Sequence, residues 1–130
     1  MTGICDLQEL LKSMAPELTE GEYVFCSVDG ELETYLALSP IATFQESEGL
    51  TLVVSKQNAD RACLAYESTY RMLTLTVHSS LDAVGLTAAV SSKLAEQEIS
   101  ANVIAAYYHD HVFVPSAKAE HALRALKSLS

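Results

Sequence analysis

Residues 73–115, LTLTVHSSLDAVGLTAAVSSKLAEQEISANVIAAYYHDHVFVP, decide the fold that this sequence predicts. An alternating strand at 70–78 is followed by a helical pattern at 81–97. A β-hairpin comes next, with arms at 103–108 and 111–114 around a His-Asp turn. Together these segments predict strand, helix and hairpin in one continuous stretch.

A final amphipathic helix follows Pro115, and Ser116 is placed to be its N-cap. The second half then has the order β-α-β-β-α, which is a ferredoxin-like βαββαβ unit without its closing strand. A sheet edge left open there would invite pairing. We therefore expect a strand of the first half to fill the place, with 23–28 as the candidate, so that the two halves interlock.

The first half has a weaker pattern. Apolar residues at helical spacing predict a helix that contains Leu7, Leu10, Leu11 and Met14 and ends at Pro16. The other predicted elements are a strand at 23–28, a short strand at 35–38, hairpin arms at 41–46 and 50–55, and a short helix at 57–64.

Composition limits the classes of function. The chain has 130 residues, of which 49% are hydrophobic, and its net charge of -9 argues against nucleic acid or an anionic membrane as partner. No apolar run is long enough to span a membrane, and no signal peptide is expected. Cys5, Cys26 and Cys63 form no CxxC motif, so we expect buried free thiols and a cytoplasmic location.

The stretch 73–115 resembles the ACT domain. The features that carry the resemblance are the strand, a turn containing Ser and Asp, a glycine near the helix start, ISANVI at 99–104, and the HDH-F-VP hairpin. It is most similar to small tandem ACT-like proteins of the aspartate-kinase type. The resemblance implies an α+β fold of tandem ferredoxin-like half-domains, with antiparallel sheets and helices on one face. A degenerate half would occupy 1–65 and an ACT domain 66–130.

The resemblance also implies a function and a site. ACT domains typically bind amino acids or other small metabolites at the first strand–helix loop, often between two modules. The chain would be a free-standing regulatory module without catalytic activity or cofactor, assembled as a homodimer or higher homo-oligomer. The ligand-binding residues implied are His78, Ser79, Asp82, Ala83, Val84, Gly85, Leu86, Asn102, Val103 and Ile104.

The residues themselves leave alternatives open. Ser79 and Asp82 have the spacing of a capping box, which places the helix start near Ser80 and Gly85 in the second helical turn. Gly85 either lets a ligand approach the helix amides or permits tight packing. Asp82 either accepts an ammonium group or caps the helix, and Asn102 either binds ligand or stabilises a turn.

Metal binding and catalysis are not predicted. His109 and His111 point the same way along a strand, but zinc usually needs three or four protein ligands. No GxSxG, P-loop or GxGxxG motif is present. Besides a regulatory amino-acid-binding module, the alternatives are an interaction module that has lost its ligand and, less favoured, a small enzyme using a histidine.

Overall fold

The computed structural model describes residues 6–77 and 84–129, and the chain divides into two compact units after Glu20 and after Tyr70. Unit 2 is Gly21–Tyr70, and unit 1 combines the segments before and after it. In chain order the elements are α1 (Leu7–Ser13), β1 (Pro16–Leu18), β2 (Tyr23–Val28), α2 (Leu32–Tyr35), β3 (Ala42–Glu46), β4 (Gly49–Ser55), α3 (Lys56–Arg61), β5 (Tyr70–Leu75), α4 (Leu86–Glu96), β6 (Asn102–Ala105), β7 (Asp110–Pro115) and α5 (Ala119–Lys127). Short 3₁₀ turns lie at Leu36–Leu38 and Ser116–Lys118.

The sheet of unit 1 has the strand order β1-β5-β7-β6. β1 lies antiparallel to β5, with Pro16 opposite Leu75 and Leu18 opposite Leu73. A strand of the first half therefore closes this sheet, as the missing strand predicted. The predicted candidate, 23–28, is wrong, because those residues form β2 and pair along their whole length with β4 in unit 2.

The core of unit 1 lies between one face of this sheet and the helices. Leu73 and Leu75 of β5 are buried there with Val112 and Val114 of β7. The helices contribute the other large buried side chains: Leu10, Met14, Leu86, Val90, Leu94 and Leu126. The alternation in β5 thus places its buried leucines on the face that the helices cover. β7 is a continuous apolar run, and its two valines lie on the same face.

Helix α1 is formed as its spacing predicts. Asp6 is the N-cap, and its carboxylate accepts a hydrogen bond from the Gln8 backbone N–H at 2.9 Å. Leu10 and Met14 are fully buried against unit 1. Because β1 follows only two residues after α1, this short helix also fixes the position of the closing strand.

Unit 2 has the strand order β3-β4-β2, and Tyr23 of β2 also pairs with Tyr70, the first residue of β5. The hairpin predicted at 41–46 and 50–55 is confirmed. Val24 and Cys26 of β2 alternate into a core that also contains Leu50, Leu52, Val54 and Ala59. Burial of Cys26 raises the pKa of its thiol, so it behaves as a small apolar side chain.

The connection from β2 to β3 is helical, and the strand predicted at 35–38 is wrong. α2 and the following 3₁₀ turn occupy this segment. The Tyr35 hydroxyl donates to the Asp29 carbonyl, and Asn58 Nδ2 donates to the Leu38 carbonyl at 2.9 Å. These side-chain contacts stabilise a helical connection that the local sequence does not specify. With α2 in this place, unit 2 also has the element order β-α-β-β-α.

Three local predictions also differ from the structure. Ser116 does not cap α5, which begins at Ala119 after a 3₁₀ turn, and Ser116 Oγ is buried without a hydrogen-bond partner. Cys63 is exposed, not buried, because the chain leaves α3 there with a φ of 58°. Cys5 lies outside the described residues. The first hairpin arm is shorter than predicted and the second is longer, and Tyr107 and Tyr108 are exposed outside the strands.

The boundary between residues 65 and 66 stays a prediction. The compact units are instead defined by contacts, and unit 1 is discontinuous in the chain. The tandem ferredoxin-like organisation does not depend on where that single boundary is drawn.

We expect Met14→Ala to lower the free energy of unfolding of unit 1 by about 2–5 kcal/mol, because it leaves a cavity at a fully buried position. Lys12→Ala changes an exposed position of α1 and should stay within about 0.5 kcal/mol of wild type. Chemical denaturation with amide exchange of β5 measures both. Equal stability of the two variants would show that α1 is not part of the core.

Candidate functional site

The candidate site lies where the chain passes from β5 to α4 in unit 1. Of the predicted residues in this connection, His78, Ser79, Asp82 and Ala83 lie outside the described residues. Val84 is 82% exposed, and Leu86 is buried as the first residue of α4. The described part of the connection is thus a short exposed segment that ends at a helix N-terminus.

Gly85 is the N-cap of α4 and has a φ of 99°. The predicted helix start near Ser80, with Gly85 in the second turn, is wrong, because Val84 and Gly85 are not helical. The left-handed conformation explains the residue type, since only glycine adopts it without strain. A glycine also has no side chain to cap the first-turn N–H groups.

A neighbouring side chain adds a second reason for the glycine. A Cβ at Gly85 would lie 3.1 Å from Leu7 Cδ2 of α1, closer than an ordinary contact allows. The space beside Gly85 is therefore occupied by the protein itself. This contact supports the packing interpretation of Gly85. It involves the Cβ position of Gly85 and not the backbone N–H groups in the first turn of α4.

The second group of predicted site residues lies on β6, the edge strand of the sheet of unit 1. Asn102 is exposed, and its Nδ2 donates to the carbonyl of Phe113 at 3.3 Å. Val103 packs against the core, and Ile104 pairs with His111. The Asn102 amide thus has a structural partner across the hairpin.

The structure places Gly85 and Asn102 at opposite ends of α4. Gly85 caps the N-terminal end, whereas Asn102 follows the C-terminal end by way of a short turn. A helix of 11 residues is about 16 Å long. Along the chain, the two residues are thus separated by the length of α4 and the turn that follows it.

The C-terminal end of β5 lies beside the β6–β7 hairpin. Thr74 Oγ1 is 2.9 Å from His111 Nδ1, and both residues are one position from the end of their strands. The connection from β5 to α4 therefore starts next to the hairpin turn that contains His109 and Asp110.

Burial shifts the acid–base properties of this hairpin. Desolvation lowers the pKa of His111, and the charge of His109 lowers it further, while Asp110 opposes both. Desolvation raises the pKa of Asp110, against the opposing effect of the two histidines. The His109 and His111 ring centroids are 6.5 Å apart. Among the described residues, no group of three or more His, Cys, Asp or Glu side chains is arranged to hold a metal ion.

A second feature, which no motif in the sequence predicts, is an open cavity in unit 2 lined by Phe25, Tyr66 and Tyr70 among others. These residues come from β2, the segment after α3, and β5. The only signal in the sequence was that Phe25 alternates away from the core face of its strand.

In residues 6–77 and 84–129, no helix has the length and apolar character needed to cross a membrane.

Comparison with known families identifies the class of protein. ACT domain models match residues 2–71 and residues 67–128. The chain therefore belongs to the ACT domain family and carries two such domains in tandem. Membership of this family supports a regulatory, ligand-binding module in general. No curated protein matches the chain.

Solved structures share this fold. A Vibrio cholerae protein of unknown function, described as a possible transport protein, is 58% identical with a TM-score of 0.88, over 95% of this chain and 94% of that chain. An Agrobacterium tumefaciens protein has a TM-score of 0.73 at 14% identity, over 88% of this chain and 87% of that one. The ligand-free regulatory subunit of aspartate kinase from Thermus thermophilus has a TM-score of 0.68 at 13% identity, over 91% of this chain and 98% of that one.

We expect Gly85→Ala to destabilise the protein by about 1–3 kcal/mol, because alanine is strained at this φ and its Cβ meets Leu7. Gly21→Ala is the matched control, since it has a φ of 88° but no atom within 4 Å of the added Cβ. In a Leu7→Ala background the cost of Gly85→Ala should fall toward that of Gly21→Ala. Urea denaturation measures the series, and an unchanged cost would disprove the contact.

The lowered pKa of His111 predicts a pH dependence. At pH values near the ordinary histidine pKa of about 6.5, the His111 side chain is protonated more in the unfolded chain than in the folded chain. The free energy of unfolding therefore falls as pH decreases through that value. His111→Asn should lessen this fall. The free energy of unfolding at about pH 7 and pH 5 tests this. Identical pH slopes in wild type and His111→Asn would contradict it.

Proposed function

We propose that this protein is a non-catalytic regulatory module that binds an amino acid at the connection from β5 to α4. The observation that carries the proposal is the N-terminus of α4, which follows an exposed Val84 and has no side-chain cap from Gly85. Helix N-termini bind carboxylates through their unpaired N–H groups and partial positive charge. Membership of the ACT domain family supports the same location.

The other side of the site would come from a second copy of the chain. Gly85 and Asn102 lie at opposite ends of α4, so a ligand that contacts both regions needs them from different chains. β6 is an edge strand of the sheet, and Ile104 is only partly buried on it. A two-fold dimer in which β6 approaches the Gly85 region of the partner would supply both sides twice.

In this proposal, ligand binding stabilises one packing of the two copies over another. A ligand shifts such an equilibrium only by its difference in affinity for the two states. A cytoplasmic location is part of the proposal, and it is supported by Cys26 and Cys63, which are both free.

The alternative is an interaction module that has lost its ligand. The packing of Leu7 beside Gly85 favours it, because that contact accounts for the glycine without a ligand. So do Tyr107 and Tyr108, which are 65% and 62% exposed at the hairpin turn and contact each other edge to face. Exposed aromatic pairs of this kind are frequent in protein interfaces.

We expect at least one proteinogenic amino acid to raise the thermal unfolding midpoint. At 100 times its dissociation constant, the amino acid should add about 2.7 kcal/mol to the free energy of unfolding. Val84→Glu should weaken that binding about five-fold, since a carboxylate at the helix N-terminus repels the ligand carboxylate. Val84→Gln is the matched control, and both substitutions are tolerated at an exposed position. A flat response to every amino acid would favour the interaction module.

Mixed dimers test whether two copies build the site. The Val84→Glu variant and the Asn102→Asp variant should each bind the amino acid more weakly than wild type. A dimer of one chain of each variant has one site with both wild-type residues and one site with both substitutions. On random mixing about a quarter of the sites should regain wild-type affinity in calorimetry. No recovery on mixing would place both residues outside a shared site.

A further inference from the structure

Unit 2 contains an open cavity of about 430 Å³ on the side of β2 that faces away from its core. It is lined by the rings of Phe25, Tyr66 and Tyr70, the hydroxyl-bearing residues Ser27 and Ser68, and Glu67. Cavities of this volume are within the range that binds small molecules. The amino-acid site proposed above lies in unit 1, so this cavity is a separate feature.

The aromatic rings of the cavity are held in place. Phe25 and Tyr70 pack edge to face with ring centroids 5.3 Å apart and an interplanar angle of 75°. The Tyr66 hydroxyl donates to Asp60 Oδ1 at 2.7 Å, and Asp60 Oδ2 is 2.9 Å from Lys56 Nζ. Asp60 does not line the cavity, so Tyr66 contributes its ring to the cavity and uses its hydroxyl elsewhere.

The charge of the lining favours a cation. Glu67 is the one charged residue among the lining residues, and no Lys, Arg or His accompanies it. The nearby Lys56 is paired with Asp60 and belongs to a different surface. Aromatic faces attract ammonium groups through their quadrupole, and a carboxylate adds to that attraction. An amino-acid carboxylate would find no cationic partner here.

We propose that this cavity binds a small organic ammonium ion with an apolar body, such as a primary amine attached to a ring. The ammonium group lies against the aromatic faces and Glu67, and the body fills the space between Phe25, Tyr66 and Tyr70. Ser27 and Ser68 supply hydroxyl partners at the rim. The net charge of -9 on the chain raises the local concentration of such a cation.

Three probes of similar body and different charge test the proposal on the full chain. Phenethylammonium is the cation, 3-phenylpropionate the anion and phenylalanine the zwitterion. Titration followed by NMR should show binding of phenethylammonium with shifts of the Phe25, Tyr66 and Tyr70 ring signals. The anion and the zwitterion should leave these signals unchanged.

Glu67→Gln should weaken phenethylammonium binding about five-fold, whereas Glu33→Gln should not. Both glutamates are exposed, so folding is preserved, and Glu33 is outside the cavity. Tyr70→Leu, which keeps apolar volume without an aromatic face, should weaken binding as well. Equal binding of the anion, equal effects of the two glutamate variants, or ring signals that do not move would overturn the proposal. Val84→Glu should have no effect here, so failure at this cavity is distinct from failure of the amino-acid site.

Discussion

The pairing of β1 with β5 is the constraint on which unit 1 depends. Without it, the backbone of β5 would present unpaired groups at a sheet edge. The Thr19 N–H donates to the Met72 carbonyl at 2.9 Å, and the Thr76 N–H donates to the Met14 carbonyl at 3.0 Å. The Thr76 hydroxyl adds a bond to the Ala15 carbonyl at 2.8 Å. A three-residue strand is therefore extended at both ends by further hydrogen bonds.

This pairing also connects the N-terminal segment to the candidate site. β1 fixes α1, whose Met14 and Leu10 fill the core. The same helix begins at Leu7, whose side chain packs against Gly85 at the start of α4. The conformation of the amide end where we propose ligand binding is thus set partly by residues that are far away in sequence. A change in α1 would be transmitted to that end through the contacts between α1 and α4.

Much of the fold could be predicted from sequence because β2 and β5 alternate with a period of two residues, and β4 and β7 are short apolar runs. The turn residues Asp29-Gly30 and Glu48-Gly49 also mark the ends of β2 and β4. The segments that failed lack such a pattern. β1 is only three residues long and begins with proline, and α2 is held by contacts from Asn58 and Tyr35. The glycine near the helix start is evident in the sequence, but its positive φ depends on the path of the neighbouring backbone. The cavity in unit 2 joins residues from 25 to 70, so no local motif indicates it.

The discontinuity of unit 1 has a consequence for synthesis on the ribosome. Residues 21–70 emerge as a continuous segment that contains every strand of the β3-β4-β2 sheet. The segment before them emerges earlier, yet its partners at 71–129 are translated only after residues 21–70. Leu10 and Met14 therefore stay exposed to solvent in the nascent chain until the residues that cover them have been synthesised. Such long-range contacts slow folding, and trigger-factor-like chaperones that shield emerging apolar segments would act on this stretch first.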